Sequence, residues 1–459
     1  MDEVKTHSSK LPKDFIIFRE FFNGKERKNM PNKKVKYQRP RGTADILPGD
    51  SDLWQKVEGV ARQTFSQFGY SEIRTPMFEA FDVYSRNVGD TSDIVEKQMY
   101  DFYDKGNRHI ALRPEGTAGV VRAYVQNKLF GPECPKPYKV YYMGPMFRYE
   151  RPESGRQRQF TQIGCEALNS ESPQIDAEVI LEALLFFKRL GVKNLRVAIN
   201  TLGDNETRTR YRESLINYLK PFYDELSEDS QERLYKNPLR VLDSKDPHDK
   251  EIVKDAPSIL DSLSDYSAKY FDDVKKILDE FNVDYVVDPD MVRGLDYYTH
   301  TIFEIMSNAP VFGGGYTTIC GGGRYNGLIS QLGGPDEGGI GYGIGVERLL
   351  LLLKNENKNF IPKPSLDLFF VTADKAGNDF AFSLMETLRE KGIKVDKDYQ
   401  GLKVGTQIKE ATRRNSKYFA VIGSKEVDSK TLELSGTSSD EKVKVSVNEL
   451  LENPSQYLK

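Results

Sequence analysis

The segment Phe147–Glu166, which reads FRYERPESGRQRQFTQIGCE, places the strongest constraint on the fold. Runs of alternating apolar residues flank a turn rich in arginine, and this pattern predicts a β-hairpin. Because successive side chains of a strand point to opposite faces, every second residue shares one face. On the incoming strand these are Val140, Tyr142, Met146, Arg148 and Glu150, and on the outgoing strand Arg158, Phe160, Gln162 and Glu166.

Cations, an aromatic ring and polar groups therefore converge on one side of the predicted hairpin. An arginine guanidinium offers a planar fork of donors that matches phosphate oxygens, and a phenylalanine ring offers a face on which a base can stack. A rigid sheet would hold both groups in a fixed geometry. The segment therefore predicts a site for a nucleotide triphosphate.

Length and composition limit the class of protein. The chain has 459 residues, enough for about three domains of ordinary size. Its 66 Lys and Arg against 69 Asp and Glu give a net charge of -3, so a nucleic acid would have to meet a local basic patch. The three cysteines form no C-x-x-C pair, which argues against zinc ribbons and disulfide scaffolds. Since no run of about 18 apolar residues is present, we expect a cytoplasmic protein without a membrane span.

The beginning of the chain changes from irregular to periodic. Residues 1–36 are rich in lysine and predict a flexible tail. Apolar residues at the 3.6-residue period then predict a helix over residues 51–68, capped by Asp50 or Ser51 and closed by Gly69.

The rest of the chain shows four changes of pattern. A strand at 71–74 and a helix at 176–190, stopped by Gly191, come first. A charged helical stretch follows, then β-branched strands, then a proline-rich linker, then alternating strands and helices that suggest a small α/β domain. These patterns cover residues 204–284, 285–361, 362–364 and 365–459.

Three further segments place polar residues beside glycines or aromatic residues. Leu112–Thr117 ends a predicted strand with a carboxylate, a glycine and a hydroxyl, although a lone glutamate there is more often a solvated loop residue. Val292–Tyr298 brings together a cation and two phenols, although adjacent tyrosines more often pack in a core. Cys320–Tyr325 carries three glycines that form either a turn or a close approach to a small ligand.

Glycines alternate with apolar residues at positions 339, 341, 343 and 345, just before Glu347, Arg348 and five leucines. Strict alternation places these glycines on one face of a strand, which predicts a flat floor for a planar base. The alternative is a dinucleotide-binding turn, which would break the strand.

Together these residues resemble the histidyl-tRNA synthetases, a family of class II aminoacyl-tRNA synthetases. The resemblance covers the three motifs of that class and two histidine-specific signatures, and it runs from about Tyr37 to the C-terminus. The Leu112–Thr117 segment is similar to the bacterial or organellar form. The matching segments are the helix and strand that end at Pro76, then Phe147–Glu150, Gly343–Arg348, Arg293–Tyr298 and Gly322–Tyr325.

The resemblance implies an α+β fold. The antiparallel sheet of class II synthetases would form the catalytic core, with a helical insertion and a C-terminal α/β anticodon-binding domain. The implied limits are a tail at 1–36, the core at 37–203 and 285–361, the insertion at 204–284 and the anticodon-binding domain at 365–459.

The resemblance also implies a reaction, the ATP-dependent ligation of L-histidine to tRNA(His) through a histidyl-adenylate, which releases AMP and diphosphate. It implies Mg²⁺ bound with ATP, with no metal held by protein side chains alone. A homodimer would form through Ser51–Pro76, although the apolar face of that helix could equally be core.

Roles for single residues follow from the same resemblance. Arg148 and Arg293 would be catalytic. Histidine would be bound by Glu115, Gly116, Thr117, Arg148, Gln162, Glu166, Arg293, Tyr297 and Tyr298, with Glu166 and Tyr298 on the two imidazole nitrogens. ATP would be bound by Arg148, Glu150, Arg156, Phe160 and Arg348. Transfer RNA would meet Arg151, Arg158, Arg413 and Arg414, although basic residues on a helix more often form a solvated face.

Two other interpretations stay open. Catalytically silent paralogues of the family serve as histidine-binding regulatory subunits of histidine biosynthesis, but they lose ATP residues and usually the anticodon domain. This chain keeps Arg148, Phe160 and Arg348 and a long segment after Pro364. A synthetase for another amino acid fits less well with the Arg293–Tyr298 signature.

Overall fold

The computed structural model describes residues 36–88, 94–292, 295–357, 360 and 366–458. Two units are separated, Met1–Pro40 and Arg41–Lys459. The described part of the first unit, residues 36–40, contains neither helix nor strand. Arg293 and the predicted tail up to residue 35 lie outside the described residues.

Helices and strands alternate along the second unit. The strands are β1 Ser71–Glu72, β2 Phe78–Ala80, β3 Tyr100–Tyr103, β4 His109–Leu112, β5 Tyr138–Phe147, β6 Gln159–Leu168, β7 Leu195–Thr201, β8 Tyr285–Val287, β9 Thr299–Ser307, β10 Thr317–Tyr325, β11 Gly339–Gly345, β12 Leu368–Thr372, β13 Val395–Lys397, β14 Tyr418–Ile422, β15 Thr431–Gly436 and β16 Lys442–Ser446. The α-helices are α1 Asp50–Gln67, α2 Asp82–Val88, α3 Thr117–Gln126, α4 Pro173–Leu190, α5 Asn205–Leu219, α6 Glu228–Lys236, α7 Leu239–Leu242, α8 Pro247–Val253, α9 Asp265–Glu280, α10 Leu328–Gln331, α11 Val346–Glu356, α12 Lys375–Glu390, α13 Val404–Arg413, α14 Ser424–Ser429, α15 Val447–Glu452 and α16 Pro454–Tyr457.

An eight-stranded sheet lies at the centre, in the order β1-β5-β6-β11-β10-β9-β7-β8. Neighbouring strands run antiparallel except at the two edges, where β1 is parallel to β5 and β8 is parallel to β7. This sheet confirms the predicted antiparallel core and excludes the dinucleotide-binding alternative, whose sheet is parallel. The predicted hairpin is β5 and β6, with Val140 opposite Glu166 and Met146 opposite Phe160.

Helices α1 and α4 pack against each other and against this sheet through one apolar core. The Ser172 hydroxyl caps the start of α4, and Gly191 ends it with a φ of 74°, as its position in the sequence predicts. The predicted cap of α1 is wrong. Asp50 is already the first helical residue, and the capping position belongs to Gly49, which has no side chain to accept a bond.

Residues 204–284 fold into helices, as their charged pattern predicts. The Asp204 carboxylate accepts hydrogen bonds from the Thr207 amide at 2.8 Å and from the Ser264 hydroxyl at 2.6 Å, which joins the start of α5 to the start of α9. Helix α9 buries Tyr270 and Phe271 in the same core as α4. The limits of this insertion and of the other domains stay a prediction.

Two smaller sheets complete the second unit. Strands β2, β4 and β3 form an antiparallel sheet in that order. Strands β13, β12, β14, β15 and β16 form the other sheet, which has an apolar core of its own with α12 and α15. Between residues 368 and 422 the structure has β12, α12, β13, α13 and β14, which confirms the alternating strands and helices predicted for the C-terminal segment. The predicted linker at 362–364 lies outside the described residues.

Candidate active site

Glu166 is the most deeply buried carboxylate of the predicted site, with no exposed surface. Its Oε1 accepts a hydrogen bond from the Thr117 hydroxyl at 2.7 Å, and its Oε2 accepts one from the Tyr325 hydroxyl at 2.5 Å. Burial raises the pKa of Glu166 to about 8, against the opposing effect of these donors. A buried carboxyl with two fixed donors is poised to recognise one more polar hydrogen.

Glu115 lies beside Glu166, where β4 gives way to α3. Its carboxylate accepts hydrogen bonds from the backbone amides of Thr117 at 2.5 Å and Ala118 at 2.9 Å, so it caps the start of α3. Burial raises the pKa of Glu115, while these amides and the charge of Arg148 act in the other direction. Two carboxyls thus share one small polar space.

Four tyrosines close this space, which we call the carboxylate pocket. The rings of Tyr297 and Tyr298 lie 4.7 Å apart, and the ring of Tyr325 meets that of Tyr297 edge-on at 5.6 Å. The Tyr142 hydroxyl lies 3.4 Å from Oε1 of Gln162. The pocket is lined by Glu115, Gly116, Thr117, Tyr142, Gln162, Glu166, Tyr297, Tyr298 and Tyr325.

Sequence reasoning missed two of these tyrosines as site residues. Tyr142 stands on the predicted inner face of the hairpin, and a Cβ on Gly116 would lie 2.7 Å from its hydroxyl. Tyr325 ends the Gly322–Tyr325 signature. Neighbouring side chains of a strand point to opposite faces, and Arg324 points to the side of the sheet that carries Asp176. This alternation could have placed Tyr325 on the side of Glu166, to which it donates a hydrogen bond.

The predicted floor for a base is wrong at three of its four glycines, because side chains also cover Gly339, where a Cβ would lie 2.5 Å from the Tyr325 ring. The side chains of Glu166 and Gln162, from the neighbouring strand β6, occupy the space above Gly341 and Gly343. These glycines are therefore needed to make room for the two side chains. Among the glycines of β11, only Gly345, at the end of the strand, would carry a Cβ with no other atom within 4 Å.

An arginine cluster, made of Arg148, Arg156 and Arg348 around Glu150, lies next to the carboxylate pocket. A guanidinium nitrogen of Arg148 lies 3.9 Å from the Glu150 carboxylate, and one of Arg156 lies 3.7 Å from it. Arg148 also donates to the Pro114 carbonyl at 2.8 Å, and its guanidinium lies 5.2 Å from the centre of the Phe160 ring. The structure thus brings together all five residues predicted to bind ATP.

The charge of this cluster is unbalanced. Burial lowers the pKa of Arg148 and of Arg348, and the charge of Arg156 lowers both further. Arg156 also pairs with Glu153 at 3.4 Å, so two carboxylates face three cations. The remaining positive charge favours an anion with several oxygens.

Glu347, which precedes Arg348, has a role that the sequence did not reveal. Its Oε1 accepts a hydrogen bond from the Thr161 amide at 2.8 Å, just beyond the point where β11 stops pairing with β6. Within the described residues its Oε2 has no partner. Burial raises the pKa of Glu347 to about 7. This contact fixes the strand residue between Phe160 and Gln162.

The predicted tRNA contacts are spread over two places. Arg151 is exposed, and the guanidinium of Arg158 lies 3.7 Å from the centre of the Tyr149 ring. Arg413 pairs with Glu410 at 2.9 Å, and Arg414 pairs with Glu410 and Asp396. Arg413 and Arg414 lie at the end of α13, far along the chain from the hairpin, and are half to mostly exposed.

An antiparallel sheet with a buried polar pocket beside an arginine cluster is the arrangement of a class II aminoacyl-tRNA synthetase. Residues 42–349 match the family model described as Histidyl-tRNA synthetase, and residues 367–454 match the Anticodon binding domain. The chain belongs to the histidyl-tRNA synthetase family.

Curated relatives and solved structures agree with this assignment. The chain is 58% identical to a histidine–tRNA ligase of Limosilactobacillus fermentum, over 91% of this chain and 97% of the relative. It is 55% identical to one of Levilactobacillus brevis over the same shares. The structure is similar to apo histidyl-tRNA synthetase of S. aureus, with a TM-score of 0.78, 41% identity, and coverage of 91% of this chain and 99% of that one. Among the described helices, none has the length and apolar character to cross a membrane.

Proposed function

We propose that this chain ligates L-histidine to tRNA(His) with ATP, through a histidyl-adenylate, and releases AMP and diphosphate. The observation that carries the proposal is the buried Glu166 carboxyl, which is held by Thr117 and Tyr325 among polar and aromatic side chains, beside a cluster of three arginines. Two relatives that are matched over 97% of their length are named histidine–tRNA ligases, which favours this function over the regulatory alternative.

Histidine would bind in the carboxylate pocket. Glu166 would accept a hydrogen bond from one imidazole N–H, and Tyr298 would meet the other nitrogen, because the two ring nitrogens need different partners. Glu115, Thr117 and Gln162 would hold the ammonium group. A site built on such bonds discriminates by about 10⁴-fold or more, since an analogue without these groups leaves buried polar atoms unpaired.

ATP would bind at the arginine cluster. Arg148 would contact the α-phosphate and Arg348 the rest of the triphosphate, while Phe160 would stack on the base, with Glu150 and Arg156 at its edge. The histidine carboxylate would attack the α-phosphorus in line with the departing diphosphate. Arg148 would offset the charge that builds up there, together with Arg293, which lies outside the described residues.

Mg²⁺ would arrive with ATP. In the described ranges, no three His, Cys, Asp or Glu side chains gather to hold a metal ion. The ion prefers phosphate oxygens and several of its own waters, and it would neutralise the polyphosphate. Glu150, which lies among the three arginines, would hold the nucleotide together with them rather than a metal ion of its own.

Transfer RNA would be bound at two places. Arg151 and Arg158 of the hairpin loop would meet the acceptor end, and Arg413 and Arg414 would meet the anticodon side. A match to an anticodon-binding domain over residues 367–454 supports the second contact. The ligase would work in the cytoplasm, where charged tRNA is used.

A homodimer is also part of the proposal, and an exposed apolar sheet face supports it. The buried face of α1 packs into its own core, so the partner must contact something else. The register of β2, β4 and β3 puts six apolar residues on one face of their sheet, directly after the first class II motif. They are Phe78, Ala80, Tyr100, Phe102, Ile110 and Leu112, of which Phe78 is 58% exposed and Phe102 is 46% exposed.

Sedimentation of two charge variants tests the dimer. Phe78→Glu with Phe102→Glu should shift the protein to monomer mass, because a buried charge opposes association. Phe382→Glu, at a site that is 49% exposed on α12, is the matched control and should leave the dimer intact. A wild-type protein that sediments as a monomer would contradict the proposal.

The reaction itself is tested by histidine-dependent exchange of pyrophosphate into ATP. The wild type should catalyse exchange, and Arg148→Ala should lose it while binding histidine more weakly through the remaining residues of the carboxylate pocket. Arg210→Ala, a surface arginine paired with Glu206 on α5, should behave as the wild type. Histidine binding without exchange in the wild type would instead support the regulatory paralogue.

A further inference from the structure

Strand β9 contains an irregularity two residues after Tyr298. Along β10, Gly323 lies opposite Ile302, but the next residue, Arg324, lies opposite Thr299. His300 and Thr301 therefore have no counterpart on β10, and they form a β-bulge. The bulge is held on its other side, where the Leu202 amide donates to the His300 carbonyl at 2.8 Å.

The bulge decides which side chain enters the carboxylate pocket. If β9 continued in the register of Ile302, His300 would stand opposite Tyr325, and Tyr298 would lie two residues further along the strand. Two residues of a strand span about 6.6 Å. The bulge removes this distance, turns His300 away and brings Tyr298 next to Tyr325.

Contacts at Gly323 confirm this placement. A Cβ on Gly323 would lie 2.7 Å from the Thr301 carbonyl oxygen and 2.9 Å from Cδ1 of Tyr298. The bulged backbone and the Tyr298 ring thus both press against the same glycine of β10. The position of the ring depends on the bulge being kept.

The backbone of His300 adopts an unusual conformation in this bulge. Its φ is 40°, in the left-handed region that non-glycine residues rarely adopt. Among the described residues, the other non-glycine residues with positive φ are Asn107, Lys128, Asn169, Asn194, Asn282, Asn415 and Lys430, and all stand in turns or at the ends of helices and strands. His300 stands inside a strand, and such outliers often mark functional sites.

The imidazole of His300 is held by two rings of α9. Its centre lies 5.2 Å from that of Tyr270 and 5.7 Å from that of Tyr266, and the residue is only 4% exposed. No hydrogen bond satisfies its Nδ1 within the described residues. The side chain of His300 is therefore held mainly by packing against the two tyrosine rings rather than by hydrogen bonds.

The surroundings of His300 lower the pKa of its ring. Burial is the largest cause that lowers the pKa of His300, and the charge of Arg324 lowers it further, while Asp176 and Asp204 act in the other direction. Arg324 is itself fixed by Asp176, to which its Nε donates at 3.0 Å.

We propose that His300 is a positioning residue for Tyr298, and that Tyr266 and Tyr270 hold it so that the bulge delivers Tyr298 to the imidazole of the substrate. This inference rests on the proposed function. Helix α9, on the other side of the sheet, would thus influence the position of a side chain in the carboxylate pocket.

His300→Asn tests the proposal, because asparagine tolerates a positive φ but cannot fill the space between the two rings. The KM for histidine in pyrophosphate exchange should rise about tenfold, as expected when a contact group moves by a fraction of an ångström. The KM for ATP should not change, since Arg148 and Arg156 lie in the loop between β5 and β6 and Arg348 lies on α11. His300→Phe keeps a ring but disfavours the positive φ, so its KM for histidine should lie between those of the wild type and His300→Asn.

A second variant protects the test against misfolding. Tyr266→Ala removes one of the two rings that contact His300. Because Tyr266 is 54% exposed, the variant should fold, and its KM for histidine should rise as in His300→Asn. A wild-type KM for histidine in both His300→Asn and Tyr266→Ala, with only a lower melting temperature, would overturn the proposal. Absence of exchange in the wild type would instead refute the proposed function.

Discussion

Replacing Gly341 with alanine should disable histidine binding, because the added methyl group would occupy the place of the Glu166 carboxyl. A Cβ at this position would lie 2.6 Å from Cδ of Glu166 and closer still to its Oε2 and to the Cys165 carbonyl oxygen. The carbonyl belongs to the backbone of β6 and cannot turn aside. The backbones of β6 and β11 must therefore move apart at this point, and the side chain of Glu166 must be displaced as well.

The geometry sets the size of the effect. Ordinary contact begins at 3.4 Å, so Cδ of Glu166 would have to move by about 0.8 Å, and its Oε2, which lies closer still to the new Cβ, by more than about 1 Å. A displacement near 1 Å in a recognition group can cost about 10²-fold in activity. Overpacking a buried strand should also lower the free energy of unfolding by about 1–3 kcal/mol.

The assay is histidine-dependent pyrophosphate exchange, combined with urea unfolding. Gly345→Ala is the matched control on the same strand, because a Cβ there would meet nothing within 4 Å. This control should fold normally and keep the KM for histidine. It should raise the KM for ATP, since Gly345 is the one glycine of β11 still open to receive a base.

Two results would refute this reasoning. A wild-type KM for histidine in Gly341→Ala would show that the carboxyl of Glu166 does not recognise the substrate. A rise of the KM for histidine in Gly345→Ala as large as that in Gly341→Ala would show that the position along β11 has no bearing on recognition.

Three further predictions concern other parts of the molecule. Tyr325→Phe removes a donor from Glu166, so the pKa of Glu166 should rise above about 8 and the KM for histidine at pH 7.5 should rise about tenfold, with the pH profile of KM displaced to higher pH. Glu182→Gln should make stability less dependent on pH. Burial raises the pKa of Glu182 to about 8, so its contribution to stability is fully present below about pH 4.5 and is lost as pH rises through 8. Between these pH values the free energy of unfolding, measured in urea, should fall by up to about 5 kcal/mol less in the variant than in the wild type. Arg413→Ala with Arg414→Ala should raise the KM for tRNA and flatten its salt dependence without changing pyrophosphate exchange, and an unchanged KM for tRNA would assign both to a solvated face.

Local patterns in the sequence were sufficient for the fold and for much of the site. The alternation between Phe147 and Glu166 predicted the hairpin, and its two-residue period placed Phe160, Gln162 and Glu166 on one face. The glycine that ends α4 was predicted because only a left-handed residue fits there. These features depend on neighbours within a few residues, so the sequence displays them directly.

Features that depend on other strands could not be predicted in this way. The glycines of β11 predicted an open floor, but the side chains above Gly341 and Gly343 come from β6, which no period in β11 reveals. The bulge at His300 depends on the register between β9 and β10. The contact of Glu347 with Thr161 joins residues 186 positions apart. The alternation of residues in one strand predicts which face each side chain points to, but the pairing between strands decides which side chains meet on that face.

The most direct test of the central claim is pyrophosphate exchange measured with each of the twenty amino acids. Exchange should depend on histidine alone, because the carboxylate pocket offers Glu166 and Tyr298 to a ring with two different nitrogens. Exchange of comparable rate with any other amino acid, or none with histidine, would contradict the assignment of this pocket.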